Sequence, residues 1–526
     1  MAMMVLPWPR LAFSSSHSRL SIGTYFTGVV AMPEWLRHFG DTTDGNGDPA
    51  ISSSQLSLLS SIVQVGEFVG ALVAGFVGNK FGRRGGLVVA SICVSVGAII
   101  QMTTESDRNY WVGGRVVLGL GVGLISNAVP LYLSENSPAG ARGVIVGSWQ
   151  LMLAIGQVIG ACVAQGTQAM NNTGAWRIPV GLNFAIPLLF FSLVWFVPES
   201  ARWYISKHRD EDARRAIERF SKGNPHADVD QALELMQEDR LRSSEDENDN
   251  ASWSSLLTNP IERRKLMCAA GMLFGQQIGG VQFIFSYATV IAKNLQLANP
   301  FLITIIIDII EVVGVLAGFL IIERVGRRPL ILWCTAIECV SLIIVGGLGS
   351  GPELSPTVPP QEYGKTAIAF ICIYVFAFNV SWGPLAWAMA TELCPGPNRN
   401  RIMSVATCCF WLTAFAVAFT LPYLYDPGSG SAGLGLKIGY IYGGLCALTG
   451  LFVWACIGET RGKSLETINN FFIHRVPARK WGQYDLAQDW KDPLAVDAAR
   501  EYQFKRRAKG EQPTEERLEK VPSDQA

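Results

Sequence analysis

Long apolar runs, nearly free of charge and rich in Leu, Ile, Val, Phe and Gly, recur along most of this sequence and are separated by short charged segments. A run of roughly 20 such residues is what a helix needs to cross a bilayer. The pattern predicts spans over 54–78, 86–103, 112–133, 145–166 and 178–197, then 266–290, 300–322, 329–349, 366–391, 402–424 and 437–457. The first apolar segment, Leu20 to Met32, is too short for a full span and follows Pro7, Pro9, Arg10 and Arg19. It reads as a shortened first helix and lacks the continuous apolar centre of a signal peptide. The expectation is an all-α membrane protein of about 12 helices. Six-helix units at 1–200 and 266–460 flank a polar linker at 201–265, and a charged tail fills 461–526. Within the linker, Asp210–Phe220 and Val229–Leu241 have the spacing of short amphipathic helices.

Charged segments where the runs end carry a repeat. Glu135-x-x-Pro138-x-x-x-Arg142 returns as Glu392-x-x-Pro395-x-x-x-Arg399. Asn79-Lys80-Phe81-Gly82-Arg83-Arg84 returns as Glu323-Arg324-Val325-Gly326-Arg327-Arg328, and Pro198-Glu199-Ser200 as Gly458-Glu459-Thr460. Three pairs in one order, each at an offset of roughly 250 residues, mean an internal duplication of a helical bundle.

Composition narrows the function. Hydrophobic residues are 49% and charged residues 16%, with a net charge of zero, so neither nucleic acid nor a strongly acidic or basic partner is implied. The cysteines lie mostly inside apolar runs without metal-ligand spacing, and the five histidines fall outside those runs. No catalytic, metal or cofactor cluster is visible, and an enzyme is not expected. The Lys and Arg residues at helix ends gather on one side, which places both termini, the linker and every repeated motif in the cytoplasm.

These motifs resemble the sugar porter family of the major facilitator superfamily, and in overall look its fungal hexose transporters. Further pieces stand in order: Arg115-x-x-x-Gly119-x-Gly121-x-Gly123, Pro130-x-Tyr132, Gln276-Gln277-x-x-Gly280 and Gly383-Pro384-x-x-Trp387. The resemblance covers about Tyr25 to Glu466. It implies two pseudo-symmetric six-helix bundles, alternating access, a monomer in the lipid bilayer of the plasma membrane, and a monosaccharide substrate. It also implies a cytoplasmic gate of Arg83, Arg84, Glu135, Arg142, Glu199, Glu323, Arg327, Arg328, Glu392, Arg399 and Glu459. In that gate Glu135 would pair with the Arg399 side and Glu392 with the Arg142 side, across the two halves.

A sugar offers hydroxyls that donate and accept, which suits uncharged amides. Gln150 and Gln157 are seven apart and share a helix face, and Gln276, Gln277 and Gln282 cluster around Gly279-Gly280, where a helix can break. The resemblance puts all five at sugar-contacting positions and Trp387 under the sugar ring. Departures from the family pattern are Asn79 for an Asp, Ala201 and Gly458 for prolines, Ser286 for a Tyr and Phe410 for a polar residue. Phe26 stands where proton-linked members carry an Asp, which argues for facilitated diffusion. Glu311, at the place of a sugar-contacting Asn and three residues from Asp308, is a candidate for both sugar contact and proton uptake. The coupling mode stays open, as do a sugar sensor of the same fold and another polyhydroxy substrate such as a disaccharide, polyol or quinate.

Overall fold

The computed structural model describes residues 29–483 except 31, 44–46, 106, 138–141, 222–228, 231–232, 235, 238–252, 286–299, 355–359, 397, 426–430 and 464. Tyr25, Phe26, Ser286, much of 229–241 and the tail beyond 483 therefore lie outside the described residues, as do the side chains of Arg142 and Glu323. Apart from one antiparallel pair, Thr42–Thr43 with Pro49–Ala50, the regular elements described are helices.

After α1 (Pro33–Phe39), α2 (Ser53–Thr103) carries the chain through two predicted spans at once. Its helix is interrupted at Gly82, where φ is 80° and ψ is 177°, a region only glycine enters without strain. Next come α3 (Arg108–Asn136), α4 (Arg142–Thr167) and α5 (Gly174–Leu193), then the shorter α6 (Ala201–Ser206), α7 (Asp210–Ser221) and α8 (Ser255–Thr258). The second series opens with α9 (Pro260–Gln276), which runs into a π-turn at Gln277–Val281 where Gly280 has a φ of 99°. It continues with α10 (Pro300–Val325), α11 (Arg327–Leu354), α12 (Pro360–Val380), α13 (Trp382–Glu392), α14 (Arg399–Tyr425), α15 (Ile438–Cys456) and α16 (Leu465–Ile473).

Eight helical stretches among the described residues are long and apolar enough to cross a membrane. One expectation changes. The span 366–391 is not one helix: it breaks at Ser381 (φ −126°, ψ −82°) between α12 and α13. Pro384 is the physical reason. Proline has no N–H to give a preceding turn and fits only the first turn of a new helix.

Packing follows from the solvent a span meets. Phe76, Leu320, Trp333 and Leu448 stay exposed on the outside, where lipid replaces water. Inside, α2 and α3 approach backbone to backbone: a Cβ on Gly119 would strike the Val63 carbonyl, and one on Gly123 the Glu67 carbonyl. The Arg115–Gly123 motif is thus a close-packing stripe. The two halves touch through α2 with α14 and through α4 with α10 and α13.

Candidate functional site

At one face the duplicated motifs fold into the same device twice. The Glu199 carboxylate accepts from the backbone N–H of Arg83 at 3.0 Å and of Arg84 at 2.9 Å. The Glu459 carboxylate accepts from Arg327 at 3.1 Å and from Arg328 at 3.0 Å. Each carboxylate caps the orphan donors that open a helix after a positive-φ glycine, Gly82 or Gly326. The second arginine of each pair reaches a carbonyl: Arg84 that of Trp195 at 3.2 Å, Arg328 that of Trp454 at 2.8 Å. Burial pushes the Glu199 carboxyl above its ordinary value, and the N–H groups of Ser200, Arg84 and Arg83 pull it back down.

The first arginine of each pair meets the glutamate of the other repeated motif. Arg83 donates to Glu135 at 2.7 and 3.3 Å, and Arg327 lies 3.1 Å from Glu392. All four side chains are buried. These ion pairs lie within each half; Arg399 of the other half also acts electrostatically on Glu135, and the Arg142 side chain, expected near Glu392, lies outside the described residues. The hydrogen bonds between the halves at this face join arginines of one half to neutral groups of the other, and amide to amide. Arg83 donates to Asn400 at 3.2 Å, Asn400 donates to Asn79 at 3.0 Å, and Arg399 donates to the Ser134 hydroxyl at 2.8 Å. The reason is reach: the glycine turn aims Arg83 and Arg327 down their own bundle, where the nearest carboxylate is on the same half. The backbone of Arg142 opens α4 beside this face.

Midway along the spans lies a buried polar centre. Gln150 on α4 donates from Nε2 to Glu311 on α10 at 3.0 Å and to Asn379 on α12 at 3.2 Å. Gln150, Glu311 and Asn379 are 7%, 1% and 0% exposed, so this is a three-helix junction spanning both halves without bulk water. Asp308, one turn before Glu311, is buried too rather than open to outer water. Gln282 donates to Gln277 at 2.8 Å across the π-turn; a regular helix would hold them on different faces. Gln276 donates to the carbonyls of Trp382 and Gly383 at 2.9 and 3.3 Å, in the first turn of α13 just after the break at Ser381. Trp387 is buried with its ring 5.0 Å from Phe410, which meets Trp411 edge-on at 4.7 Å. Gln157 is half-buried two turns along α4 from Gln150.

Asn379, Trp382 and Asn400 were not singled out from the sequence. A lone amide inside an apolar run has no pattern to reveal it. The one usable signal was the Gly383-Pro384 pair, which marks a helix break.

Paired charged motifs at one face, a dry polar centre between two helical halves, and helices broken beside it define a multi-pass membrane carrier. The family model described as "Sugar (and other) transporter" matches residues 19–472, and the chain belongs to that family. The chain is 33% identical over 477 residues to the major facilitator-type transporter ecdD of Aspergillus rugulosus, covering 89% of this chain and 87% of that one. It is 29% identical over 482 residues to the high-affinity hexose transporter HXT6 of Saccharomyces cerevisiae, covering 88% and 82%. Its fold superposes with a TM-score of 0.74, at 22% identity and over 88% of this chain and 99% of the other, on the proton:xylose symporter XylE bound to 6-bromo-6-deoxy-D-glucose. On the inward-open form of XylE from E. coli the score is 0.63 over the same shares at the same identity. The fold is therefore that of the major facilitator superfamily.

Proposed function

We propose that the protein carries a monosaccharide, a hexose in the first instance, across the plasma membrane by alternating access. The observation that carries this reading is the Gln150–Glu311–Asn379 junction, a centre of two amides and one carboxyl group shared by both halves beside a buried Trp387. Gln150, Gln157, Gln276, Gln277, Gln282 and Glu311 would meet the sugar hydroxyls, and Trp387 one face of the ring. The units 1–200 and 266–460 would rock about this centre, with the 201–265 linker, the 461–526 tail and both termini in the cytoplasm. On that side Arg83, Arg84, Glu135, Arg142, Glu199, Glu323, Arg327, Arg328, Glu392, Arg399 and Glu459 would form the gate. The hexose and xylose carriers among its relatives support the substrate class. The better superposition on the sugar-analogue-bound XylE than on its inward-open form fits a gate that is shut here.

Glu311 replaces an amide with a group that can exchange a proton, so sugar contact and proton uptake would meet on one side chain. The test is labelled-glucose uptake in a transporter-deficient yeast strain, with and without a protonophore. Uptake that the protonophore abolishes means symport, and a Glu311→Gln variant is then expected to lose uphill accumulation. Uptake that persists without exceeding the outside concentration means facilitated diffusion. A protein that reaches the plasma membrane and moves none of the common hexoses or pentoses sinks the reading.

A further inference from the structure

Behind the amide cluster of the C-terminal half lies a further buried acid that the sequence motifs do not include. Glu338 on α11 is 2% exposed. It borders a narrow crevice with no room for a water molecule, shared with Gln276, Gly279, Tyr374, Trp382 and Thr449. Two polar atoms at this space have no hydrogen-bond partner, Oε1 of Glu338 and Oε1 of Gln276. The other Glu338 oxygen receives only a weak contact from the Cys446 thiol at 3.9 Å, besides the nearby Ser381 hydroxyl. The titratable groups facing it among the described residues are Cys334 and Cys339 on its own helix, Tyr374 on α12 and Cys446 on α15. No cation is among them. A charged carboxylate here would have neither water nor a counter-ion to replace its lost hydration.

The walls of this space are the two helix breaks. Gly279 belongs to the π-turn that bends at Gly280, and Trp382 follows the break at Ser381. Gln276 ties the two together through the Trp382 and Gly383 carbonyls. Any rearrangement of Gln276, Gln277 or Gln282 around a sugar therefore moves the wall of the Glu338 space.

We propose that Glu338 exchanges a proton during the transport cycle, a role that rests on the carrier reading above. In this conformation its carboxyl holds the proton. When the breaks at Gly280 and Ser381 shift and admit water, the O–H proton passes to that water and leaves a carboxylate, which takes a proton back as the space closes. Glu338 is a positioning residue that acts on the sugar through Gln276, distinct from Glu311 at the interface between halves.

The experiment uses the full-length protein in detergent and in liposomes, with labelled glucose as the probe. Glucose affinity is measured from about pH 5.5 to 8, where a single linked proton changes it by up to about tenfold per pH unit. The protonated form favours the closed space, so wild-type affinity is expected to weaken as pH rises. Glu338→Gln, which mimics the protonated carboxyl, should keep the low-pH affinity at every pH, whereas Glu338→Asp should restore a pH dependence. A Glu338→Gln variant with the wild-type profile overturns the proposal. A second readout needs no variant: glucose added to wild-type protein in weak buffer should take up protons above neutral pH. Glucose binding and transport without proton uptake or pH dependence overturns the role of Glu338 and leaves the carrier intact. Failure of the wild type to carry any sugar overturns both.

Discussion

The two copies of the charged device differ in what they hold together. In the N-terminal half Arg83 is shared: it meets Glu135, the Gly78 carbonyl and Asn400 of the other half, while Glu135 also accepts from the Ser200 hydroxyl at 2.7 Å. In the C-terminal half Arg327 faces Glu392 alone at hydrogen-bonding range among the described residues, and both are 1% exposed. Among the described residues the same motif thus makes a distributed network in one half and a buried pair in the other. Duplication preserves the helix-capping glutamates and the glycine turns, because both are set within one half. It does not preserve the link between halves, because that depends on which side chain stands opposite.

The sharpest way to break this contrast is to remove one carboxylate from each copy. Glu392→Gln leaves Arg327 charged, buried and without another carboxylate partner among the described residues, and should destabilise by about 3–5 kcal/mol. Glu135→Gln leaves Arg83 its bonds to Asn400 and Gly78 and should cost clearly less. Thermal denaturation in detergent compares the two, and equal shifts would mean that the copies are equivalent after all.

A smaller effect is expected at the turns. Gly82→Ala and Gly326→Ala each force a Cβ into positive φ, worth about 1–3 kcal/mol, and toward a capping carboxylate. That Cβ would collide with Glu199 Oε2 at position 82 and lie 2.8 Å from Glu459 Oε2 at position 326. Both variants should lose stability, Gly82→Ala more. A neutral result at either position would show that its turn relaxes freely.

The mildest changes test the link between halves. Asn400→Ala removes two bonds across the interface, each worth about 0.5–1.5 kcal/mol. It should raise the accessibility of a cysteine placed at Ser134 to a membrane-impermeant thiol reagent applied from the motif side. Asn79→Asp puts a carboxylate near Arg83 at an exposed position and should lower that accessibility by less than about 1 kcal/mol equivalent. Unchanged labelling in both would move the contact between halves elsewhere.

Much of this was legible beforehand. Runs such as 112–133 and 402–424 announced membrane helices because a bilayer demands about 20 apolar residues wherever the chain crosses. The Gly279-Gly280 pair located the π-turn, since two glycines in a span mark where a helix can leave its ladder. The glutamines at 150, 276, 277 and 282 stood out as amides in apolar surroundings. Asn379, Asn400 and Glu338 did not, because each takes its meaning from a partner on a distant helix: Gln150, Arg83 and the two helix breaks.

The sequence by itself determined the membrane-spanning class and the duplication, both of which follow from local hydropathy and short repeated motifs. Only the tertiary structure decided which arginine meets which glutamate, which amides join the halves, and that Glu338 lies sealed behind Gln276. Those are pairings between helices far apart in the chain, and in a dry interior a polar group is worth what its particular neighbours make of it.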